Sequence, residues 1–476
     1  MKISNFKNIY MVGIKGVGMA MLAQFLHGSG FKVSGSDISD KFLTEKSLTK
    51  AKIKIKQGFS LKNFPNKIDL VIYSSAYNFK DNIELKYLKD KNIPFLTYAE
   101  ALGLLFDHHF GISVCGSHGK TTVTSWLGYV LKKSGLDPSV LNGSYVKQFK
   151  GSTLIGKSKY FVAESDEYQN KLRFFNPKGV ILNNIDYDHP DYFKTPAEYF
   201  KVFSEFVKKI PKNGWLVVNI EDVLVLKTTQ DCQANIIAYF IKDNDKTMIV
   251  PNNFKKIYYA TNIEITSKYQ SFDLFCGSKK IDRFKISLPG RHNISNSLAV
   301  ISASLQLGLS IDKIKKNLFT FLGPAQRFDV LGKYKGGTII NDYAHHPSEI
   351  KALLQAVKQR YPDKRIVTIF HPHTFSRTQA LINNFAQSFV LSDDLYIVEI
   401  YASAREKKGN ISSIDLIKKI RQYNSTINKK QNVGFLKDLN SVEKKIPTKI
   451  KKNDVVLLLG AGDIFRVGYK WLKIKV

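Results

Sequence analysis

The stretch Gly116–Thr122, with the sequence GSHGKTT, decides the fold of this 476-residue chain. It follows a short apolar run with strand character, Phe110–Cys115, and precedes a segment whose apolar residues recur at helical spacing. A glycine-rich turn between strand and helix directs backbone N–H groups and the positive end of the helix dipole at one point, where an anion can bind. Lys120 adds a charge for the β- and γ-phosphates of a nucleotide, and the Thr121 hydroxyl can ligate Mg²⁺. We therefore predict a nucleotide-binding loop, shortened because two residues rather than four separate its glycines.

The composition is that of a multidomain protein of a reducing compartment. Its length and its 43% apolar content predict two to four domains, each with its own core. We expect no membrane span, because no run of eighteen apolar residues exists, and no signal peptide. The three cysteines have neither metal-binding spacing nor the density of a disulfide framework. The chain is therefore predicted to be cytoplasmic.

The net charge of +32 raises the possibility of a nucleic-acid partner. Of the 72 basic residues, however, 62 are lysines and only 10 are arginines, and they are spread along the whole chain. Nucleic-acid recognition relies on arginine forks and on clustered charge. We therefore interpret the charge as a general compositional bias and predict no nucleic-acid partner.

Strands alternate with helices in three successive segments, which begin near Asn8, Phe110 and Gly323. This alternation is typical of parallel α/β domains. The first segment carries GIKGVG between its first strand and the following helix, with glycines at 13, 16 and 18, and Asp37 ends its second strand. The order of these glycines differs from the dinucleotide fingerprint GxGxxG. NAD remains an alternative here, and a nucleotide diphosphate without nicotinamide fits the altered order at least as well.

Two acidic segments follow strands in the second part of the chain, AESDEY at 163–168 and NNIDYDHPD at 183–191. Parallel sheets bind ligands at the carboxyl ends of their strands, which is also where the nucleotide loop lies. We expect Glu164, His189 and nearby carboxylates to converge there on a phosphate-bound Mg²⁺, whose preferred ligands are hard oxygens.

The last part of the chain contributes polar clusters at strand ends. GRHNISN (290–296) is predicted to precede a helix, and PAQRFD (324–329) precedes the third segment. NDYAHHPSE (341–349) and HPHTFSRT (371–378) each follow a strand directly. Four histidines, a tyrosine and an arginine at two strand ends favour a pocket for a small molecule that carries a carboxylate and an amine.

Together these segments resemble the Mur ligase family over nearly the whole chain. The segments that carry the resemblance, in the family's order, are GIKGVG (13–18), SGSD (34–37), SSA (74–76), GSHGKTT (116–122), AESDEY (163–168), DHPD (188–191), HNISN (292–296), QRFD (326–329), DYAHHP (342–347), HPHTFSRT (371–378) and LGAGD (459–463). The resemblance implies an α/β fold with three domains: a Rossmann-like UDP-sugar domain at 1–107, a central P-loop ATPase-type domain at 108–322, and a C-terminal Rossmann-like amino-acid domain at 323–476. It also implies an ATP-dependent ligase of peptidoglycan precursor synthesis. The resemblance further implies that the reaction joins L-alanine to the lactyl carboxylate of UDP-N-acetylmuramate through an acyl phosphate.

The resemblance further implies roles for individual residues. The residues with expected catalytic roles are Lys120, Glu164, His189, Arg327, His345 and Arg377. Those expected to bind ATP are Gly116, Ser117, His118, Gly119, Lys120, Thr121, Thr122, Asn293, Asn296, Arg327 and Asp342. The expected Mg²⁺ ligands are Thr121, Glu164 and His189. The UDP-sugar is expected at Gly13, Gly16, Gly18, Asp37, Ser74 and Ser75. The alanine pocket is expected at Tyr343, His345, His346, His373 and Arg377.

Three alternatives remain at this point. Within the family, Tyr168 and the wording of NNIDYDHPD are similar to the recycling ligase that adds a tripeptide to the same UDP-sugar, whereas HPHTFSRT and IYASARE (400–406) match the alanine-adding enzyme. A nicotinamide-dependent oxidoreductase would explain the glycines at 13–18 but not GSHGKTT. A basic nucleic-acid-binding ATPase would explain the charge but neither DYAHHP nor HPHTFSRT.

Overall fold

The computed structural model describes residues 2–242, 251, 254–402, 406 and 408–474. The first sheet is parallel and has the order β3-β2-β1-β4-β5. Its strands are β1 (Asn8–Val12), β2 (Lys32–Asp37), β3 (Lys54–Gln57), β4 (Leu70–Tyr73) and β5 (Phe95–Thr97). Its helices are α1 (Val17–Gly28), α2 (Thr44–Lys50), α3 (Ile83–Asp90) and α4 (Tyr98–His108). Because β1 lies between β2 and β4, the loops that follow β1 and β4 meet at the switch point of the sheet, the usual ligand crevice of such folds.

The second sheet is mixed and has the order β15-β14-β13-β12-β11-β10-β6-β9-β7-β8. Its strands are β6 (Phe110–Cys115), β7 (Ser139–Val146), β8 (Gly151–Leu154), β9 (Tyr160–Glu164), β10 (Gly179–Leu182), β11 (Trp215–Asn219), β12 (Asn235–Ile241), β13 (Lys256–Ile265), β14 (Gln270–Cys276) and β15 (Lys279–Ile286). The accompanying helices are α5 (Lys120–Lys133), α6 (Pro196–Lys208), α7 (Val223–Thr228), α8 (Arg291–Gln306) and α9 (Ile311–Phe319). Since β6 pairs in parallel with both β9 and β10, the segments after these three strands emerge at one edge.

The third sheet has the order β16-β17-β21-β18-β19-β20 and is parallel except for the β16–β17 pair. Its strands are β16 (Asp329–Tyr334), β17 (Gly337–Asp342), β18 (Ile366–Phe370), β19 (Asp394–Val398), β20 (Asn432–Leu436) and β21 (Val455–Leu459). Its helices are α10 (Pro347–Arg360), α11 (Phe375–Ala380), α12 (Ile382–Ser388), α13 (Ser413–Thr426), α14 (Leu439–Lys445) and α15 (Phe465–Trp471). Short 3₁₀ segments lie at Ile3–Asn5, Leu61–Asn63, Lys147–Phe149, Tyr168–Phe174, Thr229–Asp231 and Ile446–Thr448.

Packing of apolar side chains joins the first two sheets. Phe25 of α1 and Phe106 of α4 both contact Phe161 of β9, each with a ring separation of 5.4 Å. On the other face of the second sheet, Trp126 of α5 is fully buried, and its indole N–H donates to the Leu318 carbonyl at 3.1 Å. The Trp126 contact fixes α5, and with it the preceding loop, against the sheet.

The α/β class with three sheets agrees with the sequence prediction, but one boundary was wrong. GRHNISN was predicted to precede a helix, whereas α8 begins at Arg291 and includes most of this segment. Gly290 at the N-cap has φ 93°, a conformation that favours glycine, and it starts the helix earlier than the Ala/Leu pattern suggests. Asn293 therefore does not cap the helix, and its side-chain amide donates to the Pro289 carbonyl instead. Among the described residues, no helix is long and apolar enough to cross a membrane.

Candidate active site

The loop between β6 and α5 has the geometry of a phosphate cradle. Gly116 and Gly119 have φ values of 119° and 81°, which L side chains rarely adopt. A Cβ at Gly116 would lie 2.8 Å from the Asn184 carbonyl oxygen, and one at Gly119 would lie 2.7 Å from Asn296 Oδ1. Both glycines are therefore required by conformation and by space. The loop leads into the N-terminus of α5, whose unpaired N–H groups favour an anion.

Lys120 begins α5 and folds back over this loop. Its Nζ donates to the carbonyl oxygens of Gly116 and Ser117 at 2.5 and 3.1 Å and to the buried carboxylate of Glu167 at 3.0 Å. Burial alone would lower the pKa of Lys120, but the charges of Glu167 and Asp166 raise it above its usual value. The ammonium therefore stays charged beside the loop.

Thr121 and Glu164 are in direct contact, as expected of two groups that hold one cation. The Thr121 hydroxyl donates to Glu164 at 2.7 Å, and the other Glu164 oxygen accepts the Gly143 N–H at 2.6 Å. Hydroxyl and carboxylate oxygens are ligands that Mg²⁺ prefers, so this pair fits the expected ion.

The structure places His189 beside two acidic residues other than Glu164. Its Nε2 lies 3.8 Å from Glu167, and ligand atoms of His189, Asp166 and Glu167 all lie within 4.8 Å of one another. Burial alone would raise the pKa of Asp166, but the charges of Lys171 and His189 outweigh burial and lower the pKa to about 2. His189 thus joins a second acidic group next to Lys120.

A cavity of about 590 Å³ opens beside the loop, between the second and third sheets. The predicted nucleotide residues that line it are His118, Gly119, Thr121, Thr122, Asn293, Asn296, Arg327 and Asp342. Arg327 lies over the Tyr343 ring, with its guanidinium carbon 5.1 Å from the centroid. Burial raises the pKa of Asp342 to about 6 against the opposing charge of Arg327, and this carboxylate accepts the Phe328 and Ala344 N–H groups. Residues distant in sequence therefore enclose one space of ligand size.

Next to this cavity, the ends of β17 and β18 bring aromatic rings and an arginine together. The ring of His345 lies 5.1 Å from that of Tyr343 and 6.0 Å from that of His373. Burial lowers the pKa of His373 to about 3, so its ring is neutral. His346 is not part of this cluster, because its ring lies 4.8 Å from that of His118.

Arg377 differs in one respect from the expected bidentate clamp for a substrate carboxylate. Its Nε and NH2 groups already bind Asp188, at 2.8 and 3.3 Å, and NH1 donates to the His373 carbonyl at 3.2 Å. Both Arg377 and Asp188 are buried, and the Arg377 charge outweighs burial to hold the pKa of Asp188 well below its usual value. An approaching carboxylate therefore finds the paired edge of the guanidinium occupied by Asp188.

The carboxylate of Asp37 stabilises the glycine turn after β1. The Asp37 carboxylate accepts the Lys15 N–H at 2.7 Å and the Tyr77 hydroxyl at 2.8 Å, so it is fixed against the turn. Ser74 follows β4 and donates its N–H to the Val12 carbonyl, which brings the Ser74–Ser75 segment to the glycine turn. A Cβ at Gly16 would make only an ordinary contact, 3.7 Å from the Gly13 carbonyl oxygen, whereas a Cβ at Gly13 or Gly18 would lie within 3 Å of Tyr77 or Tyr98.

Several residues with central contacts were not selected from the sequence. Glu167, Asp186, Asp188 and Glu349 each bind a residue that had been selected. They lie inside segments already recognised as polar strand ends, and that position is the one signal that could have indicated them. Of the IYASARE segment, residues 403–405 lie outside the described residues.

Comparison with known proteins agrees with this arrangement along the whole chain. Residues 8–110 match the Mur ligase family catalytic domain, residues 114–304 the Mur ligase middle domain, and residues 326–462 the Mur ligase glutamate ligase domain. The chain is 39% identical over 470 residues to a UDP-N-acetylmuramate–L-alanine ligase of Clostridium kluyveri, covering 98% of each chain.

Two solved structures have the same fold. The UDP-N-acetylmuramate–alanine ligase of Thermotoga maritima superposes with a TM-score of 0.77 at 25% identity, covering 98% of both chains. A murein peptide ligase of Psychrobacter arcticus superposes with a TM-score of 0.71 at 22% identity, also covering 98% of both. The family resemblance predicted from the sequence is confirmed: the chain belongs to the Mur ligase family.

Proposed function

We propose that this protein is an ATP-dependent ligase that joins L-alanine to the lactyl carboxylate of UDP-N-acetylmuramate. The observation that carries the proposal is the adjacency of two sites. Asp342 and Ala344 line the cavity beside the phosphate cradle, and they alternate along the chain with Tyr343 and His345 of the ring cluster. A nucleotide and an amino acid can therefore be held side by side, and the full-length relative at 39% identity is named for this activity.

We propose that each of the three parts of the chain, one for each sheet, binds one substrate. We assign the UDP-sugar to residues 1–107, ATP to residues 108–322 and the amino acid to residues 323–476. We place the reaction in the cytoplasm, because the proposed reactants are a nucleotide-activated sugar, a free amino acid and ATP. The nicotinamide and nucleic-acid alternatives are not favoured, since the curated relatives are ligases.

The proposed reaction proceeds in two steps. The lactyl carboxylate attacks the γ-phosphorus of ATP, the bond to the β-γ bridging oxygen breaks, and ADP leaves as an acyl phosphate forms. The neutral amine of L-alanine then attacks the acyl carbon, and phosphate leaves as the amide forms and the nitrogen loses its proton. Both steps gather negative charge at the transferred phosphoryl group, so fixed positive groups are the main requirement.

The residues beside the cradle meet this requirement. Lys120 and the loop N–H groups would neutralise the β- and γ-phosphates, and Arg327 would bring a second positive charge from the other side of the cavity. Thr121 and Glu164 would hold Mg²⁺, which supplies charge neutralisation at the phosphates when bound. His189 would contribute, together with Asp166 and Glu167, to the charge balance around Lys120.

For the amino acid, we assign the pocket to Tyr343, His345, His373 and Arg377. Close packing of three rings leaves room for a small side chain. In the pairing described above, Arg377 would act through its charge and its remaining N–H rather than through a two-point clamp. We expect such a pocket to exclude a tripeptide, which favours alanine over the recycling reaction.

The direct test is ADP release from ATP and UDP-N-acetylmuramate with different amine substrates. We expect release that depends on L-alanine, weaker release with glycine or serine because one methyl group contributes about 1–3 kcal/mol, and none with the tripeptide. If the tripeptide is the better substrate, the protein is a recycling ligase and the alanine assignment is wrong.

We predict that Lys120→Ala lowers kcat for ligation by about 100-fold or more, because it removes a fixed charge from the transferred phosphoryl group. The matched control is Lys132→Ala, an exposed lysine near the end of the same helix. Steady-state kinetics and circular dichroism should show two folded proteins, of which only the control is active. Near-normal turnover of folded Lys120→Ala would contradict the assignment of the phosphate cradle.

We also predict that Arg377→Lys raises KM for L-alanine by about tenfold or more and changes KM for ATP by less than about threefold. Lysine has one nitrogen in place of the three that Arg377 uses, so it cannot hold Asp188 and His373 and also face a substrate carboxylate. Arg365→Lys is the control, because Arg365 is also ion-paired in the third sheet but binds Asp394 and Asp454. Equal effects on both Michaelis constants would place Arg377 outside the alanine pocket.

A further inference from the structure

The side chain of His118, in the phosphate cradle, lies between carboxylates of two domains. Its Nε2 is 3.0 Å from Asp186, in the segment after β10, and its Nδ1 is 3.3 Å from Glu349, in the first turn of α10. A neutral imidazole has one donor and one acceptor nitrogen, whereas an imidazolium donates from both. Two carboxylate partners therefore call for the protonated ring.

Glu349 is fixed on its own domain and extends one oxygen toward the cradle. Its Oε2 accepts the backbone N–H groups of His345 and His346 in a capping box at the start of α10. Its Oε1 faces His118 and also lies 3.6 Å from Arg327 NH1. A movement of Glu349 is therefore a movement of the Tyr343–His346 segment, which carries part of the proposed alanine pocket.

Asp186 is fixed in the same way on the central domain. The Ser117 hydroxyl donates to its backbone carbonyl at 2.7 Å, and its own N–H donates back to Ser117 Oγ at 2.8 Å. The Ser348 hydroxyl, from α10, donates to the Asp186 carboxylate at 2.6 Å. The start of α10 thus reaches the central domain through Ser348 on Asp186 and through Glu349 on His118, beside the Arg377–Asp188 pair that crosses the same boundary.

The groups that face His118 keep it charged. Its enclosure alone would lower its pKa, but the hydrogen bonds to Asp186 and Glu349 raise it from 6.5 to about 9. His346, which packs against the ring from the start of α10, stays neutral because burial and the His118 charge lower its pKa to about 4. Two carboxylates and the neutral His346 ring therefore contact the His118 ring, and the positive charge of Arg327 lies on the far side of Glu349 Oε1.

We propose that His118 is an interdomain positioning residue of the ligase, whose ring pairs with Glu349 and holds the start of α10 against the phosphate cradle. Through this pair, the domain that carries the alanine pocket is placed relative to the transferred phosphoryl group. His118 acts on alanine only through Glu349 and the Tyr343–His346 segment. The proposal rests on the proposed function for its alanine readout, but the contact itself does not depend on which amine is used.

A double-mutant cycle tests the pairing. The proteins are the wild type, His118→Ala, Glu349→Gln, which preserves the size of the capping side chain, and the double variant. The control is His108→Ala, an exposed histidine of α4 whose ring contacts the Leu104 carbonyl. KM for L-alanine and kcat are measured by ADP release, and the Kd of a non-hydrolysable ATP analogue is measured by calorimetry.

We expect each single variant to lower kcat/KM for L-alanine by about tenfold or more, and by a larger factor than it raises the analogue Kd. The double variant should be no more than about twofold worse than the poorer single variant, because both substitutions remove the same interaction. Multiplicative losses in the double variant would overturn the pairing. A loss that falls mainly on the analogue Kd would overturn the positioning role and leave a local role in the cradle.

Two further readouts separate this proposal from the proposed function. Because contact with Asp186 and Glu349 raises the pKa of His118, the contribution of the pair is complete below pH 6.5 and is lost as the pH rises through about 9. The ratio of wild-type to His118→Ala kcat/KM should fall over this interval, and a constant ratio would contradict the proposal.

Small-angle scattering with the ATP analogue should give a smaller radius of gyration for the wild type than for His118→Ala. If the wild type lacks alanine-dependent ADP release but shows this compaction, the proposed function fails while the interdomain pair stands.

Discussion

The tight turn after β6 is the constraint around which the rest of the site is arranged. Gly116 and Gly119 adopt positive φ in places where a Cβ would collide with Asn184 and Asn296. The turn can therefore bring its N–H groups and the start of α5 to one point, without side chains in the way. The parallel strands β9 and β10 flank β6, so their carboxyl ends deliver Glu164 and Asp186 to the same edge. The order of the strands thus sets where Glu164 and Asp186 lie. The turn sets which residues they contact, Thr121 and His118.

Charge balance is the second requirement, because these groups are largely removed from water. Lys120 is paired with Glu167, Arg377 with Asp188, and His118 with two carboxylates. For the buried pairs Lys120–Glu167 and Arg377–Asp188, removing one partner leaves an uncompensated charge and costs about 3–5 kcal/mol, which ties the cradle to its surroundings. From Lys120 the hydrogen bonds continue through Glu167 and Tyr199 to Ser117, and from there to Asp186. The phosphate cradle and the domain boundary therefore belong to one polar network.

The sequence was sufficient for the features that depend on local pattern. The α/β class, the three strand-opened segments and the family were all predicted from glycine turns, apolar strands and motif order, and each is confirmed. The start of α8 was wrong because Gly290 begins the helix outside the apolar periodicity. The Arg377–Asp188 and His118–Glu349 pairs could not be predicted, since their members lie 189 and 231 residues apart and isolated acidic residues in loops are common. The assignments of individual residues to ATP, Mg²⁺ and alanine stay predictions.

Oxygen transfer from the sugar carboxylate tests the central claim most directly. UDP-N-acetylmuramate labelled with ¹⁸O in both oxygens of the lactyl carboxylate is incubated with ATP, L-alanine and the protein, and the released phosphate is analysed by mass spectrometry. If the carboxylate attacks the γ-phosphorus and alanine then displaces phosphate, each phosphate released will carry one ¹⁸O atom and the amide will keep the other. Unlabelled phosphate formed together with the amide would contradict the acyl-phosphate route, and unlabelled phosphate without the amide would contradict the ligase assignment itself.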